Sequence, residues 1–174
     1  MSQGLPDMMR RESGRPLGPH QPEQAPRRTK RETATALAGV PMFAGFSKRH
    51  LHRLAGETDV LSFAPGQAIV TEGDPGETLF VVLSGQGKVT RRRRKVGTVM
   101  PGDFFGELSA IDGGPRSASV VAETPMHVLR LFRRTLMSLV NDEPQVTMKL
   151  LDGIVRRVRQ VERLHSQADR SDQV

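Results

Sequence analysis

A β sandwich or barrel flanked by helices is the fold class this sequence predicts, and three observations carry it. Between residues 59 and 132 lie seven short β-rich runs, spaced as in all-β domains, roughly 8 to 12 residues apart. Clusters of Gly, Pro and Asp separate them: Ala64-Pro65-Gly66, Gly73-Asp74-Pro75-Gly76, Pro101-Gly102-Asp103 and Gly113-Gly114-Pro115. Each supplies a preset φ or tolerance of positive φ. On both sides of this region the apolar residues return to helical spacing.

Residues 1–32 contain five Pro, seven Lys or Arg and four acids, with almost no branched apolar side chains. Such a stretch cannot offset its ordering entropy, so 1–32 is expected to be a disordered Pro/Arg-rich tail. From Thr33 a helical preface begins, with Leu37, Val40, Phe43 and Phe46 preceding Ser47, an N-cap candidate for a helix carrying Leu51 and Leu54. The β-runs follow at 59–63, 67–72, 78–84, 87–94, 95–100, 116–122 and 126–132. After Phe132, RRTLMSLVN reads as a short helix that Pro144 ends or restarts, and 145–167 as a longer one. On the longer helix, Thr147, Leu151, Ile154, Val158, Val161 and His165 form a heptad-like stripe. The remaining 168–174 are polar and expected to be disordered, which leaves 33–144 as the barrel with its N-terminal helices.

The 174 residues suit one domain with tails. The absence of Cys excludes disulfides, Cys-ligated metal clusters and thiol nucleophiles. No apolar run approaches the roughly 18 residues of a membrane span, and the N-terminus lacks a signal-type apolar core, so a cytoplasmic protein with no membrane partner is expected. The net charge of +7 invites anionic partners, yet Trp and Tyr are absent, so the stacking platforms of single-strand binders are scarce and nucleic acid is an unexpected partner. Gly85-Gln86-Gly87 lacks its third Gly, and Gly87-Lys88 is followed by Val89 rather than Ser or Thr, so neither phosphate-loop motif is complete. The five His are scattered or wrongly spaced for a shared metal, no acid pair or nucleophile elbow is visible, and neither a metal nor an enzyme is expected.

The informative segment runs from Pro101 to Ser119, PGDFFGELSAIDGGPRSAS. Gly106 permits close backbone approach, Glu107-Leu108-Ser109-Ala110-Ile111 can make one helical turn, and the amides opening that turn can face an anion. Arg116 follows a tight return and could hold its planar fork over those amides, closing a pocket around one phosphate. A carboxylate beside a phosphate would repel it unless Glu107 accepts from a neutral donor such as a ribose hydroxyl. Phosphate and sugar hydroxyl together describe a nucleotide. The alternative is a structural Glu107–Arg116 ion pair at a barrel loop.

This segment resembles the phosphate-binding cassette of the cyclic-nucleotide-binding domain family, which includes bacterial catabolite activators and the regulatory subunits of cyclic-AMP-dependent protein kinase. The stretch from Gly66 to Gly85 is similar to that family's second and third strands, so the likeness covers about residues 38–165. It implies a mainly β, eight-stranded jelly-roll barrel with N-terminal helices and a long C-terminal helix, with Asp103-Phe104-Phe105 as the extra short strand. It further implies that Glu107 binds the ribose hydroxyl, Arg116 the cyclic phosphate, and Ser117 the phosphate or base. Amides near Gly106, Leu108 and Ser109 would complete the cradle, Val89 and Val96 would line the base pocket, and Arg157 would reach the site from the long helix. The implied ligand is a cyclic nucleotide, cyclic AMP ahead of cyclic GMP. At Val161 and Glu162 the chain departs from the Thr-Ser pair that contacts adenine in one relative.

The expected function is therefore a stand-alone cyclic nucleotide sensor, without a DNA-binding module, signalling through 145–167 to a homodimer or partner protein. The alternative is a scaffold with the same barrel that binds no nucleotide and makes protein or nucleic-acid contacts through basic segments. The densest of these is Arg91-Arg92-Arg93-Arg94-Lys95, where the fourth β-run meets the fifth. Gly153, inside the long helix, costs roughly 1 kcal/mol against Ala and is expected to loosen it.

Overall fold

The protein is described by a computed structural model over residues 29–171, with side chains described through Arg159 and at Arg163. Most of the expected tail, 1–28, lies outside the described residues, as does the end, 172–174. The first helix, α1 (Lys30–Ala38), starts three residues earlier than expected, because Thr29 and Glu32 form a capping box that supplies the start signal. A single 3₁₀ turn (Pro41–Phe43) leads to α2 (Lys48–Ala55), whose N-cap Ser47 accepts from the His50 amide as the sequence suggests.

Eight strands follow: β1 (Thr58–Phe63), β2 (Ala68–Val70), β3 (Thr78–Ser84), β4 (Gly87–Arg91), β5 (Arg94–Val99), β6 (Phe104–Phe105), β7 (Ser119–Ala122) and β8 (Met126–Phe132). They form two antiparallel four-stranded sheets ordered β1-β8-β3-β6 and β2-β7-β4-β5, the jelly-roll arrangement that the family resemblance implied. Strand β3 reads as a continuous apolar run because both its faces are buried. Phe80 and Val82 join Leu61, Val120, Met126 and Val128 between the sheets. Leu79 and Val81 face outward into a second core, with Leu37, Phe43, Leu54, Leu136 and Val146 from the helices.

Two strands are shorter than expected: the 67–72 run pairs only over Ala68–Val70 and the 116–122 run only over Ser119–Ala122. The flanking residues are diverted into turn contacts, with Gly73 donating to the Arg116 carbonyl (2.9 Å) and Arg116 donating to the Asp74 carbonyl (2.8 Å). The fourth run, expected through residue 94, stops at Arg91, which pairs with Arg94 across a two-residue turn. Arg92 and Arg93 both hold positive φ, 49° and 63°, the pattern of a type I′ hairpin that ordinarily takes Asn-Gly.

Beyond β6 come the one-turn helix α3 (Glu107–Asp112), then, after β8, α4 (Arg133–Asp142) and α5 (Pro144–Ser171). Pro144 starts α5 rather than ending a helix, since its missing N–H is an unbonded donor position at the first turn. The helix also continues through 168–171, part of the end expected to be disordered, because no Gly or Pro interrupts it there.

The stripe expected on α5 is rotated. Val146, Leu150 and Gly153 face the barrel, and Ile154 and Arg157 are half-buried beside them. The exposed apolar row is Met148, Leu151, Val155 and Val158, so Leu151 and Val158 keep their expected place, Thr147 is exposed beside them with its hydroxyl on the Val140 carbonyl (2.9 Å), and Ile154 does not keep its place. The side chains of Val161 and His165 lie outside the described residues. Gly153 has a packing reason: a β-carbon there would stand 2.2 Å from Phe104 Cζ, so its loss of side chain lets α5 seat on that ring rather than loosening it.

Candidate functional site

Gly106 ends β6 in the left-handed region (φ 79°) and N-caps α3, turning the chain so that Glu107 points inward. After α3 the chain returns through Gly113-Gly114-Pro115, and a bridge between Pro75 and Pro115 ties this return to the turn before β3. Arg116 is thereby stapled by its backbone and leads its side chain into the barrel.

Arg116 is buried, 7% exposed as a residue. Its Nη1 donates to the Thr78 carbonyl (2.7 Å), the Gly106 carbonyl (3.0 Å) and Ser109 Oγ (2.7 Å), and its Nη2 to Thr78 Oγ1 (2.8 Å). It also sits 5.6 Å from the Phe80 ring centroid. Every acceptor is neutral, and among the described residues no carboxylate lies within ion-pair distance of it. Burial pushes this guanidinium below its ordinary range, and the charge of Glu107 works against that shift. Two glycines make room for it: a β-carbon at Gly76 would meet Nε at 2.2 Å, and one at Gly106 would meet Nη1 at 2.5 Å.

Glu107 is 2% exposed, and its partner is not Arg116. Oε1 pairs with Arg157 Nη1 from α5, while Oε2 is buried with no hydrogen-bond partner. The structural Glu107–Arg116 pair considered from the sequence is therefore not what forms. Arg157 Nη2 donates to the Phe104 carbonyl, and the guanidinium lies 5.2 Å from the Phe104 ring centroid. Arg133 donates to the Ala110 carbonyl (2.6 Å) and holds the C-terminal end of α3 in place.

These groups line one cavity of about 510 Å³. Its wall takes Gly106, Glu107, Leu108 and Ser109 from the α3 loop, Arg116 and Ser117 from the return, Val89 from β4, Val96 from β5 and Arg157 from α5. All nine residues singled out from the sequence are thus brought together. The two valines extend an apolar end, with Val70, Val99, Phe105 and Val120. Three arginines, Arg91, Arg116 and Arg157, face it against the single carboxylate of Glu107, so the cavity favours an anion.

Sequence reasoning assigned no role to Thr78, which takes two of the Arg116 hydrogen bonds, or to Gly76, which it read as a turn residue. The Gly73-Asp74-Pro75-Gly76 signal could have found Gly76, but only the fold places it against Arg116, 40 residues away in sequence. Ile154, Val158, Arg91 and Thr98 also reach the wall unforeseen. Elsewhere His50 pairs with Glu143 (2.9 Å), and His127 lies on β8 with Nδ1 2.9 Å from Ser84 Oγ. Among the described residues no group of three or more potential metal ligands occurs, and no helix is long and apolar enough to cross a membrane.

The family model described as the cyclic nucleotide-binding domain matches residues 60–143. The chain is 34% identical over 128 residues to the CRP-like cAMP-activated global transcriptional regulator of Mycobacterium tuberculosis, covering 71% of this chain and 57% of that protein. Among solved structures it is similar to the Thermus thermophilus catabolite activator protein, with 29% identity, a TM-score of 0.64, and coverage of 74% of this chain and 63% of that one. It is also similar to the N-terminal domain of a transcriptional regulator from Streptomyces coelicolor, with 33% identity and a TM-score of 0.54. That match covers 72% of this chain and 94% of the other.

Proposed function

Because the chain belongs to the cyclic nucleotide-binding domain family, we propose that it is a regulatory sensor whose ligand is cyclic AMP and whose output passes through α5. One observation carries this reading: a buried guanidinium without a carboxylate partner stands in the same cavity as a buried carboxylate oxygen without a donor. Left so, both groups cost folding free energy. A single ligand bearing an anionic phosphate and a free sugar hydroxyl satisfies both, and a neutral sugar or a bare phosphate satisfies only one.

In this reading the phosphate meets the Arg116 fork and the amides opening α3, which lie beyond the helix's own hydrogen-bond ladder. The ribose hydroxyl donates to Glu107 Oε2 while Arg157 keeps Oε1, so ligand and α5 share one carboxylate. The base lies between Val89 and Val96, with Ser117 at the phosphate end. A ligand that prefers one seating of α5 shifts that helix by linkage, and the exposed row Met148, Leu151, Val155 and Val158 gives a homodimer or partner protein a surface that senses the shift. The role is regulatory rather than catalytic.

Isothermal titration with cyclic AMP and cyclic GMP tests the reading. Saturable heat with cyclic AMP, and weaker binding of cyclic GMP, is the expected result. Binding of neither, with no thermal shift at millimolar ligand, would favour the non-binding scaffold instead.

A further inference from the structure

The β4–β5 hairpin ends in Arg91-Arg92-Arg93-Arg94, all four exposed. Two features set this tip apart from an ordinary solvated charge run. Arg92 and Arg93 hold φ values of 49° and 63°, a conformation L side chains rarely adopt and that Asn-Gly would occupy without strain. Arg91 and Arg94 stand directly opposite each other in the ladder, where like charges repel. The tip therefore carries charge against both its backbone preference and its own electrostatics.

The neighbouring acids do not relieve this. The Glu72 carboxylate accepts from the Arg92 backbone amide (2.7 Å), fixing the turn while leaving the guanidinium groups free. Glu123 is taken by Lys95 (3.3 Å) and Gln86 (3.0 Å). Among the described residues none of the four arginines forms an ion pair. The result is an exposed cluster of planar forks on a turn pinned through its backbone, suited to bidentate pairing with carboxylates.

We propose that this tip docks a partner protein presenting a cluster of Asp and Glu side chains. A nucleic-acid backbone fits less well. Phosphate tracking draws on roughly six to ten cationic contacts, and here Glu72 and Glu123 bound the cluster at its base. No aromatic residue belongs to β4, β5 or their turn, so stacking is not provided. Arg91 of the tip also faces the nucleotide cavity, whereas Arg92, Arg93 and Arg94 do not line it, so the test is placed on Arg92 and Arg93.

The test is fluorescence anisotropy of the full chain with a labelled oligoglutamate peptide and, separately, a labelled duplex oligonucleotide. The variant is Arg92→Asn with Arg93→Gly, which keeps the turn in its favoured sequence and so preserves folding. Arg49→Gln with Arg53→Gln, on the exposed face of α2, removes the same charge elsewhere. The expected result is salt-sensitive peptide binding that weakens roughly tenfold or more in the hairpin variant and by less than about twofold in the α2 variant. Equal losses in the two variants, no loss in the hairpin variant, no peptide binding at all, or tighter hairpin-dependent binding of the duplex than of the peptide would each overturn the proposal.

Discussion

Gly153 on α5 and Phe104 on β6 are in such close contact that hydrogen is the only side chain position 153 admits. That contact seats α5 one turn before Arg157, the residue that holds Glu107 Oε1, so the packing of a glycine sets the reach of an ion pair.

Gly153→Ala therefore opposes two effects. Alanine gains roughly 1 kcal/mol of helix propensity, but Phe104 is buried on a short strand and cannot yield cheaply. The clash is expected to win, with a net loss of about 1–3 kcal/mol in chemical denaturation and weakened nucleotide binding as α5 lifts. An unchanged or raised midpoint would show that α5 does not seat on Phe104 as described.

Replacing the fork at the anion site separates charge from geometry. Arg116→Ala is expected to weaken cyclic AMP binding by about 2–4 kcal/mol in calorimetry, and Arg116→Lys by less, since a point charge remains without the fork. Retained affinity in the alanine variant would show that the phosphate does not bind there.

Arg157→Ala leaves the 2%-exposed Glu107 carboxylate without its cation, at a cost of about 1–3 kcal/mol in stability after allowing for the partial exposure of Arg157. Adding Glu107→Gln to that variant is expected to recover part of the loss. A double-mutant cycle with zero coupling would dissolve the pair.

The hairpin variant carrying Arg92→Asn and Arg93→Gly is expected to be more stable than the parent by about 1 kcal/mol, because it relieves two left-handed arginines and a like-charge cluster. Thermal unfolding in low and high salt separates the two contributions. A gain present at both salt levels reports the backbone, and a gain confined to low salt reports repulsion.

Hydrogen bonds from Gln86 and then Lys95 hold the half-buried Glu123 carboxyl below its ordinary range. A depressed folded-state value means that its contribution to stability is present above the unfolded value and fades as the pH falls through the lowered one. An NMR titration of Glu123 should give that lowered value, and Gln86→Ala should move it upward.

The chain by itself determined its element types and the contents of the site loop. Strand runs, turn glycines, the Ser47 cap and the span from Gly106 to Ser117 are local properties, set by side-chain period, φ tolerance and short spacing. Ten residues separate Gly106 from Arg116, so their joint use was legible before any fold was known. What only the tertiary structure decided are the long-range choices: that Glu107 pairs with Arg157, 50 positions on, rather than with Arg116, and that Thr78, 38 positions back, holds the guanidinium. The rotation of α5, with Gly153 inward and Val155 outward, belongs to the same class. A helix with apolar residues on several faces has no local reason to prefer one; the choice falls to whichever face fits the barrel, and here a ring on β6 leaves room for nothing but a glycine.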